Sequence, residues 1–384
     1  MRFTTSAVAL LATGALAARP FLDEPDTGIS DVMGGLAKGQ LPPLARMVAL
    51  NDFQFAARNY LPVVNYTYYR NGAGGEWSYR NNLEVYNRYR FVPHTVVDIT
   101  SIANSMNTTI LGHNISSPLF ISPCARAGYG HPDAELNLVR AAAANDIAYI
   151  ISGYATLPLP QIAAAATKDQ LLFSQIYFNN NDTYNTEHIH LAEAAGAKAI
   201  VWSVDSPGSP SRQRAARYDV GSANTVFFKN TWERYTQLQA QTSLPIVLKG
   251  IMSAADARSA INHGVKAIIL SNHGGRNLDG SPSSLEVALE IHNNDPSVFQ
   301  DVEVLADGGI RYGTDALRLL SLGVKAVGIG RPIMFSNVFG EQGVTKAVGL
   351  LKNELLNDAA NLGVADIKAI NASYVQWTPN NWYS

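Results

Sequence analysis

The sequence predicts an α/β protein that consists of one (β/α)8 barrel, the TIM-barrel fold, preceded by an N-terminal helical segment. Three observations predict this class. The chain has 384 residues, 47% of them hydrophobic and 16% charged, which is enough to bury a large core. Short apolar runs rich in β-branched residues alternate with Ala/Leu-rich amphipathic stretches. Polar residues or glycines end nearly every run, where a barrel carries its chemistry.

The N-terminus predicts a secretory signal peptide over residues 1–17. Arg2 precedes an apolar stretch at Ala7–Ala17, and Ala15–Ala17 forms an A-x-A pattern of the kind that precedes cleavage. This stretch is too short to span a bilayer. The sequons that accept N-linked glycans begin at Asn65, Asn107, Asn114, Asn181 and Asn371. We therefore expect a secreted, extracellular glycoprotein whose lone cysteine, Cys124, forms no intrachain disulfide.

The rest of the chain divides into a leading segment and a barrel domain. Residues 18–60 are mixed in character and predict a connecting segment with a helix. Residues 61–384 form the predicted barrel domain, which opens with an aromatic, glycine-broken stretch, "NYTYYRNGAGGEW". No second domain is indicated.

Eight runs predict the strands of the barrel. In order they are "LFISP" from 119, "AYIISG" from 148, "LLFSQIYF" from 171, "AIVWSVD" from 199, "PIVLKG" from 245, "AIILSNH" from 267, "EVLADGG" from 303 and "AVGIG" from 326. The intervening stretches "DAELNLVRAAAAND", "TEHIHLAEAAG", "AADARSAINHG" and "GTDALRLLSLG" predict helices. Eight such units favour a closed barrel, although a doubly wound open sheet fits the pattern too.

Two features predict an anionic ligand: one follows the seventh and eighth strands, and the other ends the fifth strand. Glycines and arginines in "ADGGIRYGTDA" and "GIGRP" stand where barrels commonly bind phosphate, although tight turns alone also need glycine. Lys249 ends an apolar strand, so it needs an anion or an electron-rich ring unless it extends to solvent. No G-x-G-x-x-G motif follows an early strand, which argues against a dinucleotide.

A histidine and an aspartate predict acid–base chemistry at the same end of the barrel. Asp205 and His273 follow the fourth and sixth strands, which face each other across the mouth rather than adjoin. An Asp–His pair orients an imidazole as a general base. Arg212 and Arg276 lie close by in sequence and suggest a carboxylate-bearing substrate.

Charge and histidine spacing narrow the partners further. A net charge of -2 without runs of like charge argues against nucleic acid or an anionic membrane as a partner. The remaining histidines lack ligand-like spacing, so no catalytic metal is expected. A small-molecule substrate is the expected partner.

With these motifs in place, the sequence resembles the FMN-dependent L-2-hydroxy acid oxidase and dehydrogenase family, which includes glycolate oxidase, lactate oxidase and the flavin domain of flavocytochrome b2. The resemblance runs from about Tyr60 to about Leu355, and "SQIYF", "LPIVLKG", "SNHGGRNLD" and "DGGIRYGTDALRLLSLGVKAVGIGRP" carry it. It implies FMN as cofactor and a homotetrameric assembly.

The resemblance also assigns roles residue by residue. His273 is implied as the catalytic base, Asp205 as its orienting partner and Tyr177 as the residue near the substrate hydroxyl. The implied carboxylate-binding residues are Tyr68, Arg212 and Arg276. The implied FMN-binding residues are Pro123, Cys124, Ala125, Ser152, Gln175, Ser203, Lys249, Ser271, Asp307, Gly309, Arg311, Gly330 and Arg331.

The implied reaction oxidises an L-2-hydroxy acid to the 2-oxo acid, with O2 as the first-choice electron acceptor and H2O2 as its product. A dehydrogenase that uses a quinone or another acceptor, or a tailoring oxidase of a larger secreted metabolite, are the alternatives. Three departures bear on the pocket. Tyr154 replaces a common Trp, Cys124 replaces a common Thr, and the loop after Arg212 is shorter than usual by roughly thirty residues.

Overall fold

The computed structural model describes residues 27–221 and 227–379. The predicted signal peptide, residues 1–17, lies outside these ranges. The strands are β1 (Arg90–Phe91), β2 (Thr108–Ile110), β3 (His113–Ile115), β4 (Leu119–Ile121), β5 (Ala148–Ile151), β6 (Leu172–Ile176), β7 (Ile200–Ser203), β8 (Ile246–Ile251), β9 (Ala267–Leu270), β10 (Glu303–Asp307), β11 (Ala326–Ile329) and β12 (Val375–Gln376).

The α-helices precede, separate and follow these strands. They are α1 (Ile29–Met33), α2 (Leu50–Tyr60), α3 (Val63–Tyr69), α4 (Trp77–Glu84), α5 (Glu135–Ala144), α6 (Leu159–Ala164), α7 (Asp182–Ala194), α8 (Gln213–Ala216), α9 (Trp232–Gln239), α10 (Ala254–Asn262), α11 (Ser284–Asn294), α12 (Val298–Asp301), α13 (Gly313–Ser321), α14 (Arg331–Ser336) and α15 (Gly340–Asn361).

Strands β4 to β11 close into a parallel barrel, which confirms the predicted fold class. Their order around the barrel is β4-β5-β6-β7-β8-β9-β10-β11, and β11 pairs with β4 to close it. Seven of the eight strands fall within one of the eight predicted runs, and β8 extends one residue beyond its run, to Ile251. The sequence pattern was also compatible with an open doubly wound sheet, and the pairing of β11 with β4 excludes that alternative.

The apolar strands build two layers of core because their side chains point alternately inward and outward. Phe120, Phe173 and Ile269 belong to the cluster that fills the barrel interior. A hairpin of β2 and β3 adds Ile110 and Ile115 to this cluster. The outward-facing residues pack against the helices in a larger second cluster. The packed interior leaves the ends of the strands as the place for polar chemistry.

The helices begin at side chains that satisfy their free N–H groups. Ser253 caps α10, and Ser283 with Glu286 forms a capping box at α11. Asp279 accepts a hydrogen bond from the N–H of Ser78 at the start of α4, at 2.9 Å. Asp279 thereby joins the loop after β9 to α4. Within the described ranges, none of the helices has the length and hydropathy needed to cross a membrane.

Candidate active site

A single cavity at the carboxyl ends of the barrel strands collects most of the residues that the sequence predicts for the site. Those that line it are Tyr68, Pro123, Cys124, Ala125, Ser152, Tyr177, Arg212, Lys249, His273, Arg276, Asp307, Gly309, Arg311, Gly330 and Arg331. Four others are buried near its wall and support the lining residues: Gln175, Ser203, Asp205 and Ser271. The structure therefore brings the predicted set together at one place.

His273 stands at the centre of a hydrogen-bonded chain. Its Nδ1 lies 2.9 Å from Oδ1 of Asp205, and the hydroxyl of Tyr177 lies 3.3 Å from its Nε2. When Nδ1–H donates to Asp205, Nε2 keeps a lone pair, which accepts the Tyr177 proton in the absence of substrate. His273 adopts a left-handed backbone with φ 59°, followed by two glycines with positive φ. This turn directs the imidazole into the cavity.

The contact between Asp205 and His273 crosses one barrel strand. The sequence predicted correctly that β7 and β9 do not adjoin, but they do not face each other across the mouth, because only β8 lies between them. Gly250 of β8 has φ 108°, and a Cβ placed there would lie 2.4 Å from the Cβ of Asp205. The missing side chain at Gly250 is therefore what lets Asp205 reach His273.

Burial and charge set the protonation of this pair in opposite ways. Burial opposes ionisation of Asp205, yet His273 and Lys249 outweigh it and hold the pKa of the carboxyl below its usual range. For His273, burial is the largest effect and lowers the pKa, although Asp205 partly opposes it. The imidazole is therefore neutral and available as a base near neutral pH.

Two half-buried arginines, Arg212 and Arg276, face the same cavity without a carboxylate partner among the residues that the structure describes. The Nε of Arg212 donates to the carbonyl of Arg276 at 2.8 Å, and Nη2 donates to Asn277 Oδ1 at 2.9 Å. Arg276 donates from Nη1 to the carbonyls of Tyr68 and Tyr69. Burial, followed by the proximity of Arg276, lowers the pKa of Arg212 to about 9. An anion beside these groups would offset that cost.

Aromatic side chains form the neighbouring wall. Tyr154, which the sequence flagged as a departure, stacks on Tyr177 with ring centroids 5.1 Å apart. Tyr68 lies within 5.6 Å of the Arg276 guanidinium. Burial keeps the Tyr177 pKa above its usual value, so this phenol stays protonated and can donate. The substrate end of the cavity thus combines a base, two cations and phenol hydroxyls.

A second polar network surrounds Lys249, which is buried in the barrel mouth. Its Nζ donates to Ser271 Oγ at 2.9 Å and lies 3.4 Å from Asp307 Oδ2. Ser271 and Ser122 both donate to the same carboxylate. Burial opposes the charge, but Asp307 and Asp205 hold the lysine pKa above its usual value. The sequence reasoning missed Ser122, although its place at the end of "LFIS" was a usable signal.

The hydrogen bonds of Gln175 join three neighbouring strands. Its Nε2 donates to Ser203 Oγ at 3.1 Å, while Oε1 accepts from the N–H of Gly153 at 2.9 Å and lies 3.5 Å from Ser152 Oγ. All of these side chains are buried. The amide is therefore fixed in orientation beneath the cavity.

Nearby, Cys124 lines the cavity as a protonated thiol, since burial raises its pKa to about 11.

The part of the cavity lined by Arg311 and Arg331 has the electrostatic character of an anion site. Arg311 and Arg331 lie there without any carboxylate within ion-pair distance in the described part of the chain. Burial would raise the pKa of Tyr79, yet Arg311, Arg331 and Arg70 together hold it below its usual value. The guanidinium nitrogens of Arg331 all donate to carbonyl oxygens, which leaves its positive charge uncompensated. A phosphate fits this surplus of charge.

The sequence reasoning missed two residues in this part of the cavity because they come from α4, outside the barrel pattern. Tyr79 and Asn82 line the cavity, and Asn82 exchanges hydrogen bonds of 2.7 and 2.9 Å with Asn272. Gly275 permits this approach, since a Cβ there would lie 2.5 Å from the Tyr79 nitrogen. Nothing in the local pattern of α4 indicates that it covers a barrel mouth.

The sequence model of one family, described as FMN-dependent dehydrogenase, matches residues 57–230 and 219–377. The chain belongs to this family. It is 34% identical to 2-hydroxyacid oxidase 2 of Bos taurus over 355 residues, which cover 86% of this chain and 99% of the relative. It is 32% identical to glycolate oxidase of Spinacia oleracea, over 85% of this chain and 95% of that protein.

A cytochrome-type relative and solved structures agree with this membership. The chain is 32% identical to the L-lactate dehydrogenase (cytochrome) of Wickerhamomyces anomalus but spans only 61% of that protein's length. The flavin-binding domain of baker's yeast flavocytochrome b2 matches with a TM-score of 0.84 and 31% identity, over 89% of this chain and 90% of that one. A mandelate oxidase structure matches with a TM-score of 0.78 and 32% identity, over 86% and 98%.

Membership in this family makes the protein an FMN-dependent oxidoreductase that acts on CH–OH groups of 2-hydroxy acids. The cavity fits FMN in two respects. Its arginine-rich part provides the positive charge that a phosphate needs, and Lys249 is a fixed cation that would stabilise the negative charge a bound flavin ring gains on reduction. The individual roles of the lining residues remain predictions.

Proposed function

We propose that the protein is a secreted oxidase that converts an L-2-hydroxy acid to the corresponding 2-oxo acid and passes the electrons to O2, giving H2O2. The observation that carries this proposal is the hydrogen-bonded chain of Tyr177, His273 and Asp205 beside two arginines that lack a carboxylate partner within the described residues. A base and a carboxylate-binding pair in one cavity match a substrate with adjacent hydroxyl and carboxylate groups.

The protein's own residues then have separate tasks. Arg212 and Arg276 bind the substrate carboxylate, and Tyr68 closes the wall beside it. Nε2 of His273 accepts the proton of the substrate hydroxyl, and Asp205 stabilises the imidazolium that forms. FMN, when bound, supplies the two-electron acceptor.

The test is anaerobic reduction of the FMN holoprotein by a panel of 2-hydroxy acids. The L enantiomer of at least one acid is expected to bleach the flavin absorbance, and admission of air is expected to restore it with one H2O2 per turnover. A holoprotein that no 2-hydroxy acid bleaches would refute the proposal. Bleaching followed by slow reoxidation in air, with fast reoxidation by a quinone or a cytochrome, would instead establish a dehydrogenase.

We also propose that the protein is exported and glycosylated, with a homotetrameric assembly. Asn107, Asn114, Asn181 and Asn371 are exposed, whereas Asn65 is half-buried and its amide donates to the Tyr129 carbonyl at 3.0 Å. Expression in a eukaryotic host with a secretory pathway should release into the culture medium a protein whose N-terminus lies near residue 18. Enzymatic deglycosylation should convert exposed sequon asparagines, and not Asn65, to aspartate.

A further inference from the structure

Arg126 is a third arginine near the substrate end of the cavity, behind the lining residue Tyr68 rather than among the lining residues themselves, and neither the sequence motifs nor the proposed mechanism uses it. It follows Ala125, which lines the cavity. Its backbone is left-handed with φ 60° and is fixed from both sides. Its N–H donates to the Tyr154 carbonyl at 3.2 Å, and its own carbonyl accepts the Tyr69 hydroxyl at 2.7 Å. Arg126 is therefore held against the wall of the substrate cavity.

The guanidinium of Arg126 lies among aromatic rings rather than carboxylates. Its Nη1 donates to the Tyr129 hydroxyl at 2.7 Å, and its Cζ lies 5.2 Å from the centre of the Tyr68 ring. It forms no ion pair with any residue that the structure describes. The aromatic faces attract the cation, but each exposed contact of this kind contributes only about 0.5–1 kcal/mol and does not neutralise it.

The charges around Tyr68 exceed what a monocarboxylic substrate would neutralise. Tyr68 lies within 5.6 Å of Arg276 and within 5.2 Å of Arg126, and both arginines, with Arg212, oppose the rise in its pKa that burial causes. One substrate carboxylate bound by Arg212 and Arg276 leaves Arg126 without an anionic partner. A second anionic group on the same substrate would supply one.

We propose that Arg126 recognises a second anionic group, and that the preferred substrates are short L-2-hydroxy acids that carry a second carboxylate. This inference rests on the proposed function of the same cavity. Arg126 would act in it as a specificity-determining residue, because its guanidinium beside Tyr68 would attract the part of the substrate that does not react.

The experiment compares substrates that differ only in charge. L-2-hydroxyglutarate is compared with its 5-amide, and L-malate with its 4-amide, in anaerobic reduction of the FMN holoprotein. Each amide keeps the 1-carboxylate and replaces only the second carboxylate by an uncharged group. The dicarboxylates are expected to be preferred by about 10- to 100-fold in kcat/KM, the range expected for a charge-assisted hydrogen bond. The preference should appear mainly in KM, since the second group binds equally in the ground and transition states.

Variants separate recognition from a structural role. Arg126→Met is expected to abolish the preference for the acid over its amide, while kcat/KM for the amide stays within about 3-fold of the wild type. Arg126→Lys should retain part of the preference. Arg140→Met, which removes an exposed arginine on α5, serves as the control and should leave the preference intact.

Two outcomes would overturn the inference. Equal kcat/KM for acid and amide in the wild type would do so, as would an equal loss for both in Arg126→Met, because that would show that Arg126 only supports the Tyr68 wall. Either result leaves the proposed function standing if monocarboxylic 2-hydroxy acids bleach the flavin. Failure of every 2-hydroxy acid to bleach it would instead remove the proposed function.

Discussion

Lys249 and the arginine pair Arg212 and Arg276 both bring positive charge to the cavity, but their surroundings differ. Lys249 is buried and paired with Asp307, 3.4 Å away, so its charge is neutralised within the folded chain. Arg212 and Arg276 donate only to carbonyl and amide oxygens, so their charges are not neutralised. Burial is costly for both kinds of cation. The difference indicates that Lys249 is positioned before any ligand arrives, whereas the arginines await an anion.

This comparison separates variants that lower stability from variants that lower activity. Removing one member of a buried ion pair leaves an uncompensated charge and is strongly destabilising. Removing a half-buried cation that has no carboxylate partner removes a cost as well as a set of hydrogen bonds. Substitutions in each region, and of the base His273, test this division.

The largest effect is expected for His273→Gln. Glutamine cannot accept the substrate proton, so the rate of anaerobic flavin reduction should fall by about 10²- to 10⁴-fold. FMN should remain bound, because His273 does not neutralise any charge in the arginine-rich part of the cavity. Stopped-flow absorbance measures the rate, and His113→Gln, at an exposed histidine on β3, is the matched control. Turnover near the wild-type level would remove His273 from the role of base.

The second largest effect is expected for Lys249→Met. The change leaves Asp307 buried without its cation, so the free energy of unfolding of the holoprotein should fall by about 3–5 kcal/mol. Lys325→Met is the matched control, since Lys325 pairs with Glu303 in a half-buried position that keeps access to solvent, and it should cost clearly less than Lys249→Met. Denaturant unfolding in saturating FMN measures both.

A second substitution checks the cause of this loss. The double variant Lys249→Met with Asp307→Asn removes the orphaned charge and should regain part of the lost stability. The assignment as an ion pair would be contradicted if the double variant lost more free energy of unfolding than the two single variants lose when their losses are added. Equal losses in Lys249→Met and Lys325→Met would contradict it too.

A smaller effect, and one of the opposite kind, is expected for Arg212→Met. The kcat/KM for flavin reduction by L-2-hydroxy acids should fall by about 10- to 100-fold, because one charge-assisted hydrogen bond to the substrate carboxylate is lost. The free energy of unfolding without substrate should change by less than about 1.5 kcal/mol, since lost hydrogen bonds are offset by relief of burial. A loss of stability as large as that of Lys249→Met would end the distinction between the two regions.

The sequence predicted the barrel and most of the cavity because both depend on local patterns. Each buried strand is an uninterrupted apolar run, and Lys249 and His273 stand out as polar residues at the ends of such runs. Because parallel strands end at the same side of a barrel, the order of the runs brings these residues together without any knowledge of contacts.

The parts that were missed or incorrectly placed depend on contacts between segments far apart in the chain. Tyr79 and Asn82 reach the cavity only because α4 packs on the loop after β9 at Gly275. Asp205 contacts His273 across Gly250 because a single strand, β8, separates β7 from β9. The spacing of the apolar runs in the sequence does not show this arrangement. Arg126 has no distinguishing neighbours in sequence, and only the folded chain places it on Tyr68.

The smallest expected effect is the pH dependence of the base. Burial lowers the pKa of His273 more than Asp205 raises it, so the folded protein binds the proton less tightly than the unfolded chain. Protonation at low pH therefore favours unfolding, and the stability contributed by neutral His273 is present above about pH 6.5 and is lost as the pH falls towards the folded pKa. The acid limb of kcat/KM should accordingly lie below about pH 6.5, the ordinary histidine value. Asp205→Asn should move that limb to still lower pH, because it removes the hydrogen bond and charge that support the imidazolium. A limb that moves upward in Asp205→Asn, while FMN absorbance confirms that the cofactor is retained, would show that Asp205 does not act through His273.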